Sequence, residues 1–311
     1  MMTTILNWDN FRDAFLRVEA SHGMAGVDGV TILEFQRNLD RNLGDLRARI
    51  SKNTYRPWPL LRFQVAKPDN SPRTLCVPAV CDRVAQAAVL NVIGPRLEKE
   101  FEDASFAYRK GRSVKQAVFR IRDLRDQGFR YVVDADIEGY FDNIHHDKLM
   151  DRVCGIVTDP AVAALIRAWV KAEVYDGQRI FVPEKGIPQG SVVSPALANL
   201  FLDDLDEAML GKGFKLVRYS DDFLVLAKTQ AQAQDALELT EEVLEGLGLA
   251  LDWDDTCLTT FDKGFKFLGA VFLKDCIFSP FDRPAKERKI LYMPPPFDIK
   301  GYLAGQLTIN H

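Results

Sequence analysis

The chain has 311 residues, 47% hydrophobic and 27% charged, with a formal net charge of −4. That balance excludes a disordered chain, and no run of eighteen apolar residues is present to cross a membrane as a helix. The opening MMTTILNWDNFRDAF has no basic patch ahead of an apolar stretch, and the five scattered cysteines (76, 81, 154, 257, 276) form no CxxC pair. A secretory leader, a zinc site and a disulfide framework are therefore not expected, and a cytoplasmic location is.

The charge is unevenly placed. Residues 41–130 carry a balance of +10 and the remainder −14. A basic block of that size is the electrostatic footprint expected for phosphate backbones.

In chain order, 7–20 and 31–50 read as helices from their apolar spacing, with the turn-forming AGVDGV between them. Residues 54–78 are extended, because prolines at 57, 59, 68, 72 and 78 break any helix. A helix over 82–100 starts with Asp82 as its N-cap. FRYVVDAD (129–136) is a β-rich run, followed by helices near 146–154 and 160–172. Ser194-Pro195 opens another helix, FKLVRY and FLVLAK form a hairpin around Ser-Asp-Asp, a long helix covers 230–247, and FKFLGAVF is the last strand. The order β-α-α-β-β-α-β predicts an α+β fold, a split βαβ antiparallel sheet with helices on one face.

Three aspartates stand out. Asp136 ends its strand, and Asp221 and Asp222 sit at the hairpin tip. The split βαβ topology lays these elements side by side, so the carboxylates converge. Cations make such a group tolerable at neutral pH, and hard oxygen ligands suit two Mg2+ ions, with Mn2+ as a substitute, serving phosphoryl transfer.

RYSDDFLVLAK (218–228) resembles the (Y/F)xDD signature of reverse transcriptases. VVDADIEGYFDNIHHDKL resembles the strand with their first metal-binding aspartate, and GIPQGSVVSPALANLFLDDLD resembles their nucleotide-pocket loop and helix. KPDNSPRTLCVPAVCDRVAQAAV and FAYRKGRSVKQAV resemble the finger blocks, and GMAGVDGVTILEFQRNL resembles the N-terminal extension of the group II intron lineage. The stretch from DRVAQAAV through VVDADI looks most like the CRISPR-associated members.

The resemblance implies a right-hand polymerase with N-terminal extension and fingers over 1–127 and palm over 128–275. Residues 276–311 would form a tail, with the thumb absent or truncated, since 42 residues after Gly269 cannot hold a helical thumb. It implies that Asp136 and Asp221 bind metal with support from Asp222, and that Ile137 adds its backbone carbonyl. Phe141 would lie under the incoming sugar and select deoxynucleotides. Lys67 and Arg73 would contact the triphosphate, Gln189 and Gly190 would line the nucleotide, and Tyr108, Arg109 and Arg112 would touch template. One departure is WDDTCL after the long helix, which places Asp255 where relatives carry a lysine.

The implied activity is RNA-directed DNA polymerisation, with an RNA template, a DNA or RNA primer and dNTPs as partners and no membrane. The implied role is spacer acquisition from RNA beside a CRISPR spacer integrase, in trans or by fusion. The alternatives are an intron-derived, retron-like or phage-defence reverse transcriptase, an idle RNA-binding scaffold, and a metal-dependent nuclease. The intact aspartates oppose the scaffold, and the finger blocks oppose the nuclease.

Overall fold

The computed structural model describes residues 1–66, 72–278 and 290–305. The chain folds as two compact units. One comprises Met1–Arg96, Leu149–Ser194 and Glu287–His311, and the other Leu97–Lys148 and Pro195–Lys286. Among the described residues no helix is long and apolar enough to cross a membrane.

In the first unit, helix Trp8–Glu19 starts at Asn7, whose side chain accepts a hydrogen bond from Asp9 N (2.8 Å). It buries Phe11, Ala14, Phe15 and Val18, the stripe that its 3.6-residue period predicts. The single helix expected over 31–50 is two helices, Ile32–Arg37 and Leu39–Ser51. Asn38 leaves helical geometry between them (φ −126°, ψ 41°), and Thr31 and Glu34 cap the first reciprocally.

The extended stretch becomes strand Leu60–Ala66, paired antiparallel with Pro72–Val77 and parallel with Val174–Tyr175. Pro72 opens its strand, a place that a residue without an N–H tolerates. The tail adds Ile290–Tyr292 to the same sheet, and Phe297 is buried against Tyr175 and Tyr302. Asp82 does not cap its helix, which begins at Val80. Its buried carboxylate accepts hydrogen bonds from Tyr55 Oη (2.7 Å) and Trp58 N (2.9 Å), which fasten the preceding segment to the helix.

The second unit holds a four-stranded antiparallel sheet in the order Lys215–Tyr219, Asp222–Ala227, Tyr131–Ala135, Cys257–Thr260. This is the split βαβ sheet, but its closing strand is Cys257–Thr260. FKFLGAVF is instead a hairpin of Phe265–Phe267 and Ala270–Leu273, extended by Cys276–Phe278. Leu268 and Gly269 both have positive φ (50° and 78°), so the chain reverses in two residues where one continuous strand was expected.

The compact units also differ from the contiguous division expected above. Helix Val114–Asp126 places Ala117, Val118, Ile121 and Leu124 in one core with Val132, Val217, Leu224 and Leu226 of the sheet. Its apolar stripe needs cover and the sheet supplies it, so residues 97–127 belong with the palm sheet. Residues 149–194 belong to the other unit, where Val174–Tyr175 pairs with Leu60–Leu61.

Candidate active site

The hairpin that carries Asp221 and Asp222 owes its rigidity to burial. Phe223 through Ala227 are all buried, and the partner strand buries Leu216, Val217 and Arg218. Between the strands only Ser220 and Asp221 turn the chain, since Tyr219 pairs directly with Asp222. The acidic tip therefore projects from a backbone fixed on both sides.

The register then brings the carboxylates together. Ala135 faces Phe223, and Asp134 faces Leu224 on one side and Cys257 on the other. One step further, Asp136 comes level with Asp222 and Asp255. The Asp252 N–H donates to the Asp136 carbonyl (2.9 Å), and the Asp136 N–H donates to Thr256 Oγ1 (3.4 Å). Asp136, Asp252 and Asp255 each offer a carboxylate oxygen, and these oxygens lie within 4.8 Å of one another.

Crowding shows in the proton affinities. Burial pushes the Asp136 carboxyl up to about 6, and the charges of Asp221, Asp252 and Asp255 push the same way. Asp222 is raised to about 8, by burial first and then by Asp134, Asp136, Asp221 and Asp255. Asp134 rises to about 6, through burial and then Asp136 and Asp255. A set of hard oxygen donors that repel one another and hold protons well above the ordinary carboxyl range fits divalent cations. The expected Asp136, Asp221 and Asp222 are thus brought together.

Asp134, Asp252 and Asp255 were not expected as members. Strand alternation puts Asp134 two residues from Asp136 on the same face, which the sequence does show. Asp252 and Asp255 depend on the pairing of Cys257–Thr260, a strand whose sequence has no clear alternation. Ile137 is buried and bridges to Leu251. Phe141 follows Gly139, which enters the short helix Tyr140–Asn143 with a left-handed backbone (φ 49°). It is 6% exposed and packs edge-on against Tyr140 at 5.5 Å.

A second group lies within the first unit. Arg73 Nε donates to Gln189 Oε1 (2.9 Å), and the Cys76 N–H donates to the Gln189 carbonyl (2.7 Å). Buried Gln86 holds the next two residues, its Oε1 accepting from Ser191 Oγ and Val192 N, both at 2.9 Å. Gly190 has φ +117°, and a Cβ there would lie 2.8 Å from the Cys76 carbonyl oxygen. Only glycine fits that approach. The structure brings Arg73, Gln189 and Gly190 together. Lys67, expected beside Arg73, lies outside the described residues.

Residues 65–272 match the family model described as reverse transcriptase (RNA-dependent DNA polymerase). The chain belongs to the reverse transcriptase family. It is 31% identical over 283 residues to protein YkfC of Escherichia coli K12, covering 78% of this chain and 74% of that protein. It is 33% identical over 172 residues to the group II intron-encoded protein LtrA of Lactococcus lactis subsp. cremoris, covering 55% of this chain and 28% of LtrA. Among solved structures, telomerase from Candida albicans shares the fold at a TM-score of 0.58 and 14% identity, over 76% of this chain and 48% of that one. A chain of a Cas6-RT-Cas1–Cas2 complex is 29% identical with a TM-score of 0.49, over 79% of this chain and 41% of that one.

The residues expected to touch template differ among themselves. Tyr108 is 54% exposed and holds a positive φ of 60°. Arg109, expected to touch template, is buried. Its guanidinium donates to Glu98 (2.7 Å) and to the carbonyls of Ser105 (2.8 Å), Phe101 (3.2 Å) and Glu102. It holds the loop that presents Tyr108, and we assign it that role in place of template contact. Arg112 pairs with Asp103 and lies 5.5 Å over the Phe106 ring.

Proposed function

We propose that this RNA-directed DNA polymerase extends a primer 3′ end with deoxynucleoside triphosphates at the carboxylate cluster, with two Mg2+ ions as its working cations. The observation that carries this reading is the convergence of Asp136, Asp221 and Asp222, visible in the raised proton affinities of Asp136 and Asp222. When bound, two divalent cations supply charge to the attacking hydroxyl and the leaving oxygen of an in-line displacement at phosphorus. Asp136 and Asp221 are proposed to hold both, with Asp222 and the Ile137 carbonyl in support.

The remaining roles follow the chemistry of each side chain. The Arg73 guanidinium is suited to a triphosphate because its fixed fork pairs phosphate oxygens, offsetting charge that builds on the leaving pyrophosphate. Its hydrogen bond to Gln189 aims it and fixes the side-chain amide at the same time. Gly190 lets backbone come close to the nucleotide. The Phe141 ring is proposed to exclude a 2′-hydroxyl, and Tyr108 to stack on a template base.

Templated primer extension with dNTPs tests the reading. Asp221→Asn keeps the shape of the tip and removes a charge, and it should lower extension by at least about 100-fold while leaving template binding intact. Extension by that variant at the wild-type rate removes Asp221 from the site. We further propose a place in CRISPR spacer acquisition, beside a spacer integrase. This rests on the likeness of the stretch from DRVAQAAV through VVDADI, and a pull-down with a purified spacer integrase tests it.

A further inference from the structure

A charged pair with no role in the chemistry lies in the core of the catalytic unit. Arg218, in the strand leading into the acidic tip, and Asp206, in helix Asp203–Gly211, are both fully buried. Arg218 Nε donates to Asp206 Oδ1 (2.7 Å) and Nη2 to Oδ2 (2.5 Å), a two-pronged pairing. The third nitrogen, Nη1, reaches elsewhere, to Asn199 Oδ1 (3.0 Å) and to the backbone carbonyl of Ser220 (3.1 Å). Asn199 in turn donates to the Ala107 carbonyl (2.7 Å), next to Tyr108.

Stability is a poor explanation for such a pair. Two charges lose hydration on burial, and well-packed apolar residues of similar size often replace a buried ion pair without loss. What the pair does geometrically is more specific. The two-residue tip has a positive φ at Ser220 (+69°) and not at Asp221. That sign pattern belongs to a type II′ turn, which ordinarily takes glycine at its first central position. Serine pays a conformational penalty there, and its own hydroxyl is buried without a hydrogen-bond partner, so the side chain does not offset the penalty. The alternative turn, type I′, differs by a flip of the Ser220–Asp221 peptide. Arg218 Nη1 binds the carbonyl of that very peptide.

We propose that Arg218, clamped by Asp206, is a positioning residue for polymerisation: it locks the Ser220–Asp221 peptide and so sets where Asp221 and Asp222 point. The inference rests on the polymerase reading above. Its charge partner matters because the fork on Asp206 leaves one nitrogen, held at a fixed angle, for the turn. Asn199 extends the same fixed geometry toward Ala107.

The test uses the full chain with the double substitution Arg218→Met and Asp206→Leu, which removes the clamp without stranding a charge. Four quantities are read: Tm, primer–template Kd, kcat for dNTP addition, and Mn2+ affinity by titration calorimetry. The expected result is a folded protein with unchanged primer–template Kd, kcat lowered on the order of 100-fold and weaker Mn2+ binding. A folded double variant with wild-type kcat and Mn2+ affinity overturns the proposal.

Arg218→Lys is the second arm. An ammonium keeps the charge beside Asp206 but cannot span Asp206, Asn199 and Ser220 together, so this variant should fold and show the same losses in smaller degree. Failure of both variants to fold also overturns the proposal, because the pair is then a structural requirement. Wild-type protein that extends no primer refutes the polymerase reading instead, and the calorimetric arm still judges the positioning.

Discussion

The raised proton affinities at the palm tip make a quantitative demand on cation binding. Asp222 titrates at about 8 and Asp134 and Asp136 at about 6 in the cation-free protein. At pH 7 a group of pKa 8 is about nine-tenths protonated and one of pKa 6 about one-tenth, so ionising all three displaces about one proton. Apparent cation affinity should then climb about tenfold per pH unit between pH 6 and 8 and level off above. The sign for folding runs the other way. Folded-state values above the ordinary 3.8 give stability that is full below about pH 4 and is lost as pH rises through 6 and then 8. Cation-free protein should therefore melt lower at pH 8 than at pH 6, and divalent cation should restore most at pH 8. Mn2+ titration calorimetry in two buffers of different ionisation enthalpy reads the released proton directly. Asp222→Asn should remove most of the buffer-dependent heat at pH 7. Equal heats in both buffers with an affinity flat from pH 6 to 8 would refute the reasoning, because the carboxylates would then be ionised before the cation arrives.

Two further outcomes follow from the residues proposed to face the nucleotide. Gly190→Ala puts a methyl 2.8 Å from the Cys76 carbonyl at a φ of +117°, and a strain of about 1–3 kcal/mol should displace the loop. Steady-state kinetics should show kcat/KM for dNTP down by about tenfold or more, with primer–template Kd unchanged, and an unaltered kcat/KM removes this loop from the nucleotide. Phe141→Ala should raise incorporation of ribonucleotides relative to deoxynucleotides, since the ring is the proposed barrier to a 2′-hydroxyl. Competition between labelled rNTP and dNTP measures it, and unchanged discrimination leaves Phe141 as a core residue packed on Tyr140.

What the sequence reveals depends on how local each interaction is. The hairpin around Ser220 and Asp221 is legible because strands and turn are contiguous, and helix Gln230–Leu247 because its period runs unbroken to Gly248, whose φ of 78° ends it. Asp252 and Asp255 join the cluster through a four-residue strand pairing with residues more than 120 positions earlier, and no local pattern in CLTT reports that. Arg109 looks like a template cation because its charge is visible, whereas Glu98, eleven residues before it, and three carbonyls become its partners only in the fold. Helix 31–50 reads as continuous because Asn38 carries no proline or glycine, yet its ψ of 41° breaks the helix in two. The two compact units depart from the expected contiguous division for a similar reason: the stripe of helix Val114–Asp126 is obvious, but which sheet covers it is not.

Asp255 shows why the chemistry of a site can be read from repulsion as well as attraction. A lysine at that position would draw protons off Asp136 and Asp222 by opposite charge, whereas an aspartate adds to the burial that raises both. The cluster therefore leans harder on external cations than a lysine-bearing one. A fold can hold such a group only if its backbone does not yield to the repulsion. The strands Tyr131–Ala135 and Asp222–Ala227 meet that condition by deep burial of Val132, Val133, Phe223, Leu224 and Val225. The remaining weak point is the two-residue tip, where Ser220 adopts a backbone suited to glycine, and it is there that the buried guanidinium of Arg218 takes hold of the main chain.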